Sequence, residues 1–253
     1  MRRRHFFEVL DQAWCPAAVR HGATDCLEAI ISRTDVYRAV QADIFRAICD
    51  SDSAIVIDLC SGGGGPWLSP GFRSALVQHA PLKVVLTDKF PSDVLSARLH
   101  QDPTISCLNV PVDAASVPES LRGFRTIFSS FHHFPDTVAR EVLGDAVRRR
   151  EGFAMAEVTS RTPRAFATML LMPILVWLLT PFMRPFRWSR LLLTYFVPLI
   201  PLVVFWDGVV SCFRTRTPQE LLELSKTFPQ YEWTAGYAKG GWLSPVYLIG
   251  HPK

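Results

Sequence analysis

The sequence predicts an α/β protein with a mostly parallel sheet and a hydrophobic helical insertion in its C-terminal half. Short apolar, β-branched runs alternate with helix-compatible segments over residues 54–158, which is typical of a parallel sheet with crossover helices. A glycine-rich loop directly follows the first of these runs. Hydrophobic residues then concentrate over residues 165–210, well above their 49% share of the 253-residue chain.

Apolar runs and helical spacing predict the individual elements. Strands are expected at residues 54–59, 83–86, 106–110, 126–129 and 153–158. Helices are expected between them at residues 71–79, 92–100, 119–122 and 136–150. After the hydrophobic stretch, Thr217, Pro218 and Glu220 form a helix-start pattern. The remaining predictions are a helix and a terminal antiparallel strand pair, at residues 217–227, 231–237 and 246–249.

The same pattern divides the chain into four segments. These are an N-terminal helical segment (1–53), a ligand-binding α/β core (54–164), a hydrophobic insertion (165–212) and a C-terminal helix and strand pair that completes the core (213–253). The N-terminal MRRRHFF is basic, but an apolar stretch does not follow it, so a signal peptide is not expected.

Composition narrows the function classes. The net charge of +4 is too small to indicate nucleic-acid binding, but it would not oppose an anionic membrane surface. The six cysteines contain no CxxC pair, so neither a metal site nor a disulfide framework is predicted. A reduced, intracellular setting is therefore expected.

The most specific local feature is the sequence IVIDLCSGGGGPW, a strand that ends at an acid and turns into four glycines. The loop differs from the GxGxxG dinucleotide fingerprint, because Pro66 follows the glycines and Asp58 precedes them. An acid at this position would repel a pyrophosphate. It suits a ligand that carries a positive charge and an amino group.

In the order of its glycine loop and acidic residues, the chain resembles class I S-adenosylmethionine-dependent methyltransferases. Asp58, Gly62 and Gly64 fall on the family's acid and GxGxG-like loop. Asp88 ends the second strand, where an acid of the family binds the ribose hydroxyls. Asp113 follows the third strand, where an acid of the family contacts the adenine amino group. The resemblance covers roughly residues 54–158.

This resemblance implies a Rossmann-like, seven-stranded, mostly parallel sheet with flanking helices and S-adenosyl-L-methionine as cofactor. It also implies that neighbouring residues of the same loops contact the cofactor, namely Ser61, Lys89, Ala114 and Ser129. Trp67, just after the glycines, is expected either to cover the cofactor and support the substrate pocket or simply to pack.

Candidates for the chemistry lie after the fourth and fifth strands. The segment His132-His133-Phe134-Pro135-Asp136 resembles one in plant phenolic O-methyltransferases whose histidine is the catalytic base. This favours His132 as a base, with His133 second; the alternative is that the two rings line the pocket or cap the next helix. Glu157 and Asp207 are candidate substrate contacts, with a solvated strand end and a salt-bridged junction as their respective alternatives.

The hydrophobic segment allows three interpretations. Residues 165–183 contain no charge and are just long enough to cross a bilayer, but the second run is shorter and contains Pro198 and Pro201. Between the runs lie Arg184, Arg187 and Arg190, which a transmembrane hairpin would carry across the membrane. A monotopic insertion would keep these arginines among the headgroups. A soluble lid or oligomer contact is the third interpretation.

These observations predict a membrane-associated methyltransferase of a hydrophobic small molecule or lipid, acting at oxygen on the cytoplasmic face of a membrane. One alternative is a soluble methyltransferase of a polyketide-like or aromatic metabolite, with the insertion as lid or homo-oligomer interface. Another is a non-catalytic membrane-binding protein of the same fold. Nucleic-acid methylation is disfavoured, because the chain has no basic stripe interleaved with aromatics.

Overall fold

The computed structural model describes residues 2–79, 81–91, 93–240 and 242–253. Its strands are β1 (Ile55–Leu59), β2 (Lys83–Leu86), β3 (Ile105–Cys107), β4 (Phe124–Phe128), β5 (Phe153–Glu157), β6 (Tyr231–Tyr237) and β7 (Val246–Pro252). They form one sheet in the order β3–β2–β1–β4–β5–β7–β6. The pairs among β1 to β5 are parallel, and β7 is antiparallel to both of its neighbours.

All predicted strands are present, with three local differences from the expected elements. β3 ends at Cys107 instead of residue 110, and β7 continues to Pro252 because it pairs with β6 along its whole length. The predicted helix over residues 119–122 is wrong: only a turn forms there, closed by the Leu121 amide donating to the Pro118 carbonyl at 3.0 Å. Ser92, the expected start of another helix, lies outside the described residues.

The chain separates into two compact units. The sheet unit comprises Asp35–Val158 and Arg216–Lys253, and the apolar unit comprises the residues up to Thr34 together with Thr159–Thr215. Helices of the sheet unit are α2 (Arg38–Asp50), α3 (Pro70–Gln78), α4 (Asp93–Leu99), α5 (Asp136–Arg148) and α9 (Pro218–Ser225). Those of the apolar unit are α1 (Ala17–Thr34), α6 (Pro163–Leu179), α7 (Trp188–Leu191) and α8 (Leu199–Arg214). The units therefore split the predicted 1–53 segment between α1 and α2.

The apolar unit has a core of its own, built from α1, α6 and α8. Ala23 and Cys26 of α1 are buried in one cluster with Met169 and Val176 of α6 and Val204 of α8. The stretch Pro163–Phe182, with mean hydropathy 2.0, is long and apolar enough to cross a membrane. The segments Trp188–Phe196 and Leu199–Arg214 would pass the same test together, but they meet at a bend of 77°. The second hydrophobic run is therefore broken, as its prolines predicted.

The first sixteen residues differ most from the prediction, because none of the described ones is helical. They form a strap along α8. The Arg4 amide donates to the Phe213 carbonyl at 3.1 Å, and the Val9 and Leu10 amides donate to the two carboxylate oxygens of Asp207 at 2.7 and 3.0 Å. Helix α1 begins only after Pro16, a residue suited to a helix start.

Gly123, which leads into β4, is expected to be intolerant of substitution. Its φ is +148°, and a Cβ there would lie against the Ile55 backbone carbonyl well inside van der Waals contact. Gly123→Ala should lower the free energy of unfolding by about 2–4 kcal/mol, measured by urea denaturation. Gly240→Ala is the matched control, because φ is +130° there but the nearest atom is 3.7 Å away. Equal losses for both variants would contradict the clash.

Candidate active site

The predicted site residues meet at the carboxyl edge of the parallel strands in the sheet unit. β2 lies on one side of β1 and β5 on the far side of β4, so the connections that follow β1 and β4 diverge and open a crevice at this edge. In the register, Asp58 of β1 lies opposite Leu86 of β2 and Thr126 of β4. This edge therefore brings together four residues that lie at or just after the ends of separate strands: Asp58, Asp88, Ser129 and Glu157.

The glycine loop presents open backbone at this edge. Gly62 has φ +52°, and an added Cβ would meet nothing within 4 Å. Gly64 has φ +102°, and a Cβ there would come within 2.5 Å of Leu68. The two glycines thus serve different ends: Gly64 allows the loop to pack, and Gly62 allows a ligand to approach the backbone closely.

Asp58 supports the glycine loop through buried hydrogen bonds. Its carboxylate is buried and accepts hydrogen bonds from the hydroxyls of Ser61 and Thr126, both at 2.6 Å. Burial raises the pKa of Asp58 to about 6, against the opposing effect of these two hydrogen bonds. Asp58 and Ser61 are thus placed to hold the loop in shape.

Asp88 and Asp113 lie closer to solvent. The Asp88 carboxylate accepts from the amides of Gly62 and Phe90, each at 2.8 Å, which ties the second strand end to the glycine loop. Asp113 accepts from the Ala115 amide at 3.0 Å and forms an ion pair with Lys89 at 3.0 Å. The Ala115 amide, followed by Lys89, lowers the pKa of Asp113. Asp113 therefore stays charged at this edge of the sheet.

The other two predicted cofactor contacts differ in exposure. Ala114 is buried in the hydrophobic core of the sheet unit. Ser129 has φ +46° at the end of β4, and its hydroxyl is hydrogen-bonded to that of Tyr37. Tyr37 is buried with its ring edge-on to Phe128, and burial raises the pKa of its phenol, so it stays neutral. Sequence analysis missed Tyr37, because it lies within a helical pattern that carries no motif.

His132 and Glu157 form a buried pair. The Glu157 carboxylate accepts from the His132 backbone amide at 2.9 Å and lies 2.7 Å from its ring Nδ1. With the Nδ1 proton on this bond, Nε2 is the ring nitrogen that takes up a proton. The His133 ring lies 4.3 Å from that of His132. Glu157 is thus buried and not a solvated strand end, and each of its oxygens contacts His132; its contact with a substrate stays a prediction.

Arg216 supports this segment from the C-terminal part of the sheet unit. Its guanidinium donates to the carbonyls of Phe131 and Phe134 at 3.2 and 2.7 Å and pairs with Asp136 at 2.7 Å. In the apolar unit, Asp207 accepts from the strap amides of Val9 and Leu10, and its contact with a substrate stays a prediction.

Trp67 is enclosed by aromatic side chains. It is fully buried, and its ring meets those of Phe45, Phe72 and Phe128 edge-on at 5.4–6.0 Å between centroids. Two roles were predicted for Trp67, and these surroundings correspond to packing. Because Phe128 ends β4 and Trp67 follows the glycines, this cluster supports the loop from behind.

Comparison with known proteins establishes the fold. No protein-family model matches the chain, and no curated protein sequence is detectably similar to it. Among solved structures, the plantazolicin methyltransferase BpumL in complex with SAH has 10% identity and a TM-score of 0.58 over 97% of this chain and 95% of that chain. BpumL with a pentazolic desmethylPZN analog and SAH has 9% identity and a TM-score of 0.60 over the same shares.

A further solved structure agrees. The methyltransferase domain of bacterial CtHen1-C has 9% identity and a TM-score of 0.51, covering 86% of this chain and 98% of that domain. The predicted Rossmann-like methyltransferase fold, with its seven-stranded, mostly parallel sheet, is therefore confirmed.

Proposed function

We propose that this chain is a membrane-associated S-adenosylmethionine-dependent methyltransferase that methylates a hydrophobic small molecule or lipid at an oxygen atom. The carboxyl edge of the sheet carries the proposal: it places the open backbone of Gly62 and the carboxylates of Asp88 and Asp113 around one crevice. The same fold in BpumL was crystallised with SAH, the product that remains when S-adenosylmethionine gives up its methyl group.

The residues at this edge fit S-adenosylmethionine. Gly62 leaves room for a ligand against the backbone. Each oxygen of Asp88 accepts one amide and keeps lone-pair capacity for a ribose hydroxyl. Asp113 can accept from an adenine amino group while it stays paired with Lys89. When bound, S-adenosylmethionine supplies an electrophilic methyl group on a positively charged sulfur.

Methylation of a hydroxyl releases a proton, and in this proposal His132 accepts it. Glu157 fixes the ring by its Nδ1 and holds the adjacent backbone amide, so Nε2 presents the basic lone pair in a constant direction. The Glu157 carboxylate then stabilises the imidazolium that forms. This pair favours an oxygen acceptor, which needs a base, over one that needs placement alone.

The surface of the apolar unit supports membrane association. Among the residues that the structure describes, 25 large hydrophobic side chains are exposed, and fifteen of them lie from Leu170 to Trp206. On α6, Leu170, Ile174 and Leu178 form an exposed apolar stripe opposite the buried one. Tyr195 hydroxyl donates to the Trp177 carbonyl at 2.5 Å and so joins this stripe to the segment after α7. Soluble monomers rarely expose a continuous apolar patch of this extent.

Helix α1 favours insertion in one leaflet over a transmembrane hairpin. It packs along α6 and α8 and carries Asp25, Glu28 and Arg33 beside them. If α6 and α8 spanned a bilayer, α1 and its charges would enter the hydrocarbon with them, at high energetic cost. In a monotopic arrangement α1 stays on the aqueous side, and the face of the apolar unit opposite α1 contacts the lipid.

The same features support the proposed acceptor and location. The second segment of the apolar unit begins at Thr159, two residues after Glu157, so the chain continues from the partner of the proposed base into the hydrophobic helices. A lipophilic acceptor that reaches the enzyme from the bilayer suits this arrangement. The six free cysteines favour the cytoplasmic face of the membrane. A homo-oligomer that covers the apolar face is the competing arrangement in the soluble alternative.

Asp88→Ala is expected to weaken S-adenosylmethionine binding by about 100-fold or more, because hydrogen bonds from two ribose hydroxyls to a carboxylate are lost. Titration calorimetry measures this directly. Asp43→Ala, which removes an exposed carboxylate from α2, is the matched control and should bind like the parent protein. If the parent protein does not bind S-adenosylmethionine, the methyltransferase proposal fails.

Acceptor class and membrane association have separate tests. When S-adenosylmethionine carries an isotopically labelled methyl group, the label should enter the organic phase of a lipid extract. The labelled methyl group should survive acid hydrolysis but should be released by a reagent that cleaves ethers. Label confined to water-soluble products would overturn the lipophilic acceptor. The protein should sediment with membranes and require detergent for release; recovery in the supernatant without detergent would leave the soluble alternative.

A further inference from the structure

Charge is distributed unevenly along the chain. Residues 1–34 and 159–215, which make up the apolar unit, contain eleven arginines, no lysine and five acidic residues, a formal charge of +6. The remaining residues contain sixteen basic and eighteen acidic side chains, a charge of −2. The positive charge of the protein therefore belongs to the unit with the exposed apolar face.

Acidic groups of the apolar unit are largely used within it. Glu8 and Asp11 pair with Arg214 at 3.2 and 2.9 Å, Asp25 pairs with Arg190 at 2.6 Å, and Asp207 binds the strap amides. Several of its basic side chains are exposed instead: Arg2, Arg4, Arg33, Arg164 and Arg184. The buried charges of this unit, Glu8 and Asp207 against Arg190 and Arg214, cancel, so its solvent-facing side chains carry the whole charge of +6.

The use of arginine alone has a chemical meaning. A guanidinium presents a planar fork of donors that matches a phosphate, and it is more weakly hydrated than an ammonium group. It can therefore sit at a lipid interface with its stem in apolar surroundings. Arginine next to exposed apolar surface favours a partner that offers both phosphate and hydrocarbon.

The turn between the two hydrophobic runs, residues 182–188, is a rigid tip. Phe182 and Trp188 are 74% and 78% exposed, and the ring of Phe186 lies edge-on to Trp188 at 5.2 Å. Arg184 is exposed between them. Three aromatic rings and a guanidinium thus project from a segment of seven residues.

Arg190 fixes the shape of this tip. It is buried, donates to the carbonyls of Met183 and Pro185 at 2.9 Å each, and forms the salt bridge to Asp25 of α1. Met183 is itself buried in the core of the apolar unit. The sequence placed Arg190 among the headgroups. Its guanidinium is instead internal, and it holds Arg184 and the aromatic side chains in place.

We infer that the tip binds the phosphate groups of an anionic bilayer, with Arg184 on the phosphates and Phe182, Phe186 and Trp188 in the interfacial region; this inference rests on the proposed membrane association. The positive charge of the apolar unit supplies the long-range attraction, and the aromatic rings supply the apolar contact. Binding is therefore selective for anionic over zwitterionic lipid and weakens with salt.

Vesicle flotation of the full chain tests this. The vesicles are phosphatidylcholine alone, or phosphatidylcholine and phosphatidylglycerol in equal parts. Arg184→Gln should weaken binding to the anionic vesicles about fivefold and leave binding to the neutral ones unchanged. Trp188→Ser should weaken binding to both by about tenfold or more. Arg46→Gln and Val77→Ser, which alter exposed side chains of the sheet unit, are matched controls and should bind like the parent protein.

Each other outcome has a distinct meaning. Raising the salt concentration from 0.1 to 1 M shortens the Debye length from about 10 to 3 Å. Equal binding to the two kinds of vesicle that does not change over this range would overturn the anionic selectivity but not the membrane association. Binding to neither would overturn both, while leaving S-adenosylmethionine binding to be judged by calorimetry. A dimer that Trp188→Ser dissociates, without vesicle binding, would assign the tip to a second copy of the chain.

Discussion

His132→Asn is expected to lower the rate constant of methyl transfer by about 10²- to 10⁴-fold, the usual contribution of a positioned base. An asparagine amide nitrogen can occupy the position of Nδ1 and keep the hydrogen bond to Glu157, but it has no counterpart of Nε2. The buried carboxylate therefore keeps its partner, and the variant should fold. Alanine would leave Glu157 buried without this partner, which typically costs about 3–5 kcal/mol.

Single-turnover kinetics with the labelled cofactor measure this rate, and calorimetry with S-adenosylmethionine checks that binding is retained. His133→Asn is the matched control. The hydrogen bonds that orient His132 on Glu157 involve the backbone amide and Nδ1 of His132 itself, and this substitution leaves both in place. It should retain most of the rate. A His132→Asn variant with the parent rate would show that placement alone drives the transfer.

Glu157→Gln separates positioning from proton acceptance. A glutamine amide that donates to Nδ1 would move the ring proton to Nε2, the wrong tautomer for a base. The rate should fall, and the fall should depend on pH, because the carboxylate no longer favours the imidazolium. A purely structural role for Glu157 would lower stability without changing the shape of the pH profile.

Local patterns predicted the strands and their terminal acids, because continuously buried strands are encoded by short apolar runs and their ends by the polar residues that follow. Asp58, Asp88 and Asp113 could be found in this way. The pairing of His132 with Glu157 could not: it joins residues 25 positions apart, and it depends on β4 and β5 being neighbours in parallel register. Once the strand order is known, Glu157 at the end of β5 and His132 in the turn after the adjacent β4 become candidates for a contact.

The strap and the buried arginines show why other features escaped prediction. Val9 and Asp207 are 198 residues apart in sequence, and the strap has no regular pattern of its own. The three arginines between the hydrophobic runs look alike in sequence, yet Arg190 is internal and Arg184 is exposed. What separates them is Asp25 on α1, a helix more than 150 residues earlier in the chain. Composition located the apolar segment, but only tertiary contacts assign each charge its place.

Asp58→Asn is expected to make the protein more stable near neutral pH and a weaker binder of its cofactor. Burial raises the pKa of Asp58 from 3.8 to about 6 in the folded protein. Between these values the folded state keeps a proton that the unfolded chain releases, so stability falls as the pH rises through this window. The total loss is about 3 kcal/mol. Asparagine removes it, and the hydroxyls of Ser61 and Thr126 can still bond to the amide.

The difference in unfolding free energy between parent and variant, measured by urea denaturation from pH 4 to pH 8, isolates this effect. Burial also raises the pKa of Asp207, but that group is present in both proteins and cancels in the difference. The variant's advantage should grow from pH 4 and level off above pH 6. Its affinity for S-adenosylmethionine should fall by at least about tenfold, because the negative charge beneath the glycine loop is lost next to a cationic ligand. A difference that does not vary with pH would mean that Asp58 titrates normally. In that case the carboxylate would carry no energetic cost of burial, and its place beneath the glycine loop could be explained by folding alone.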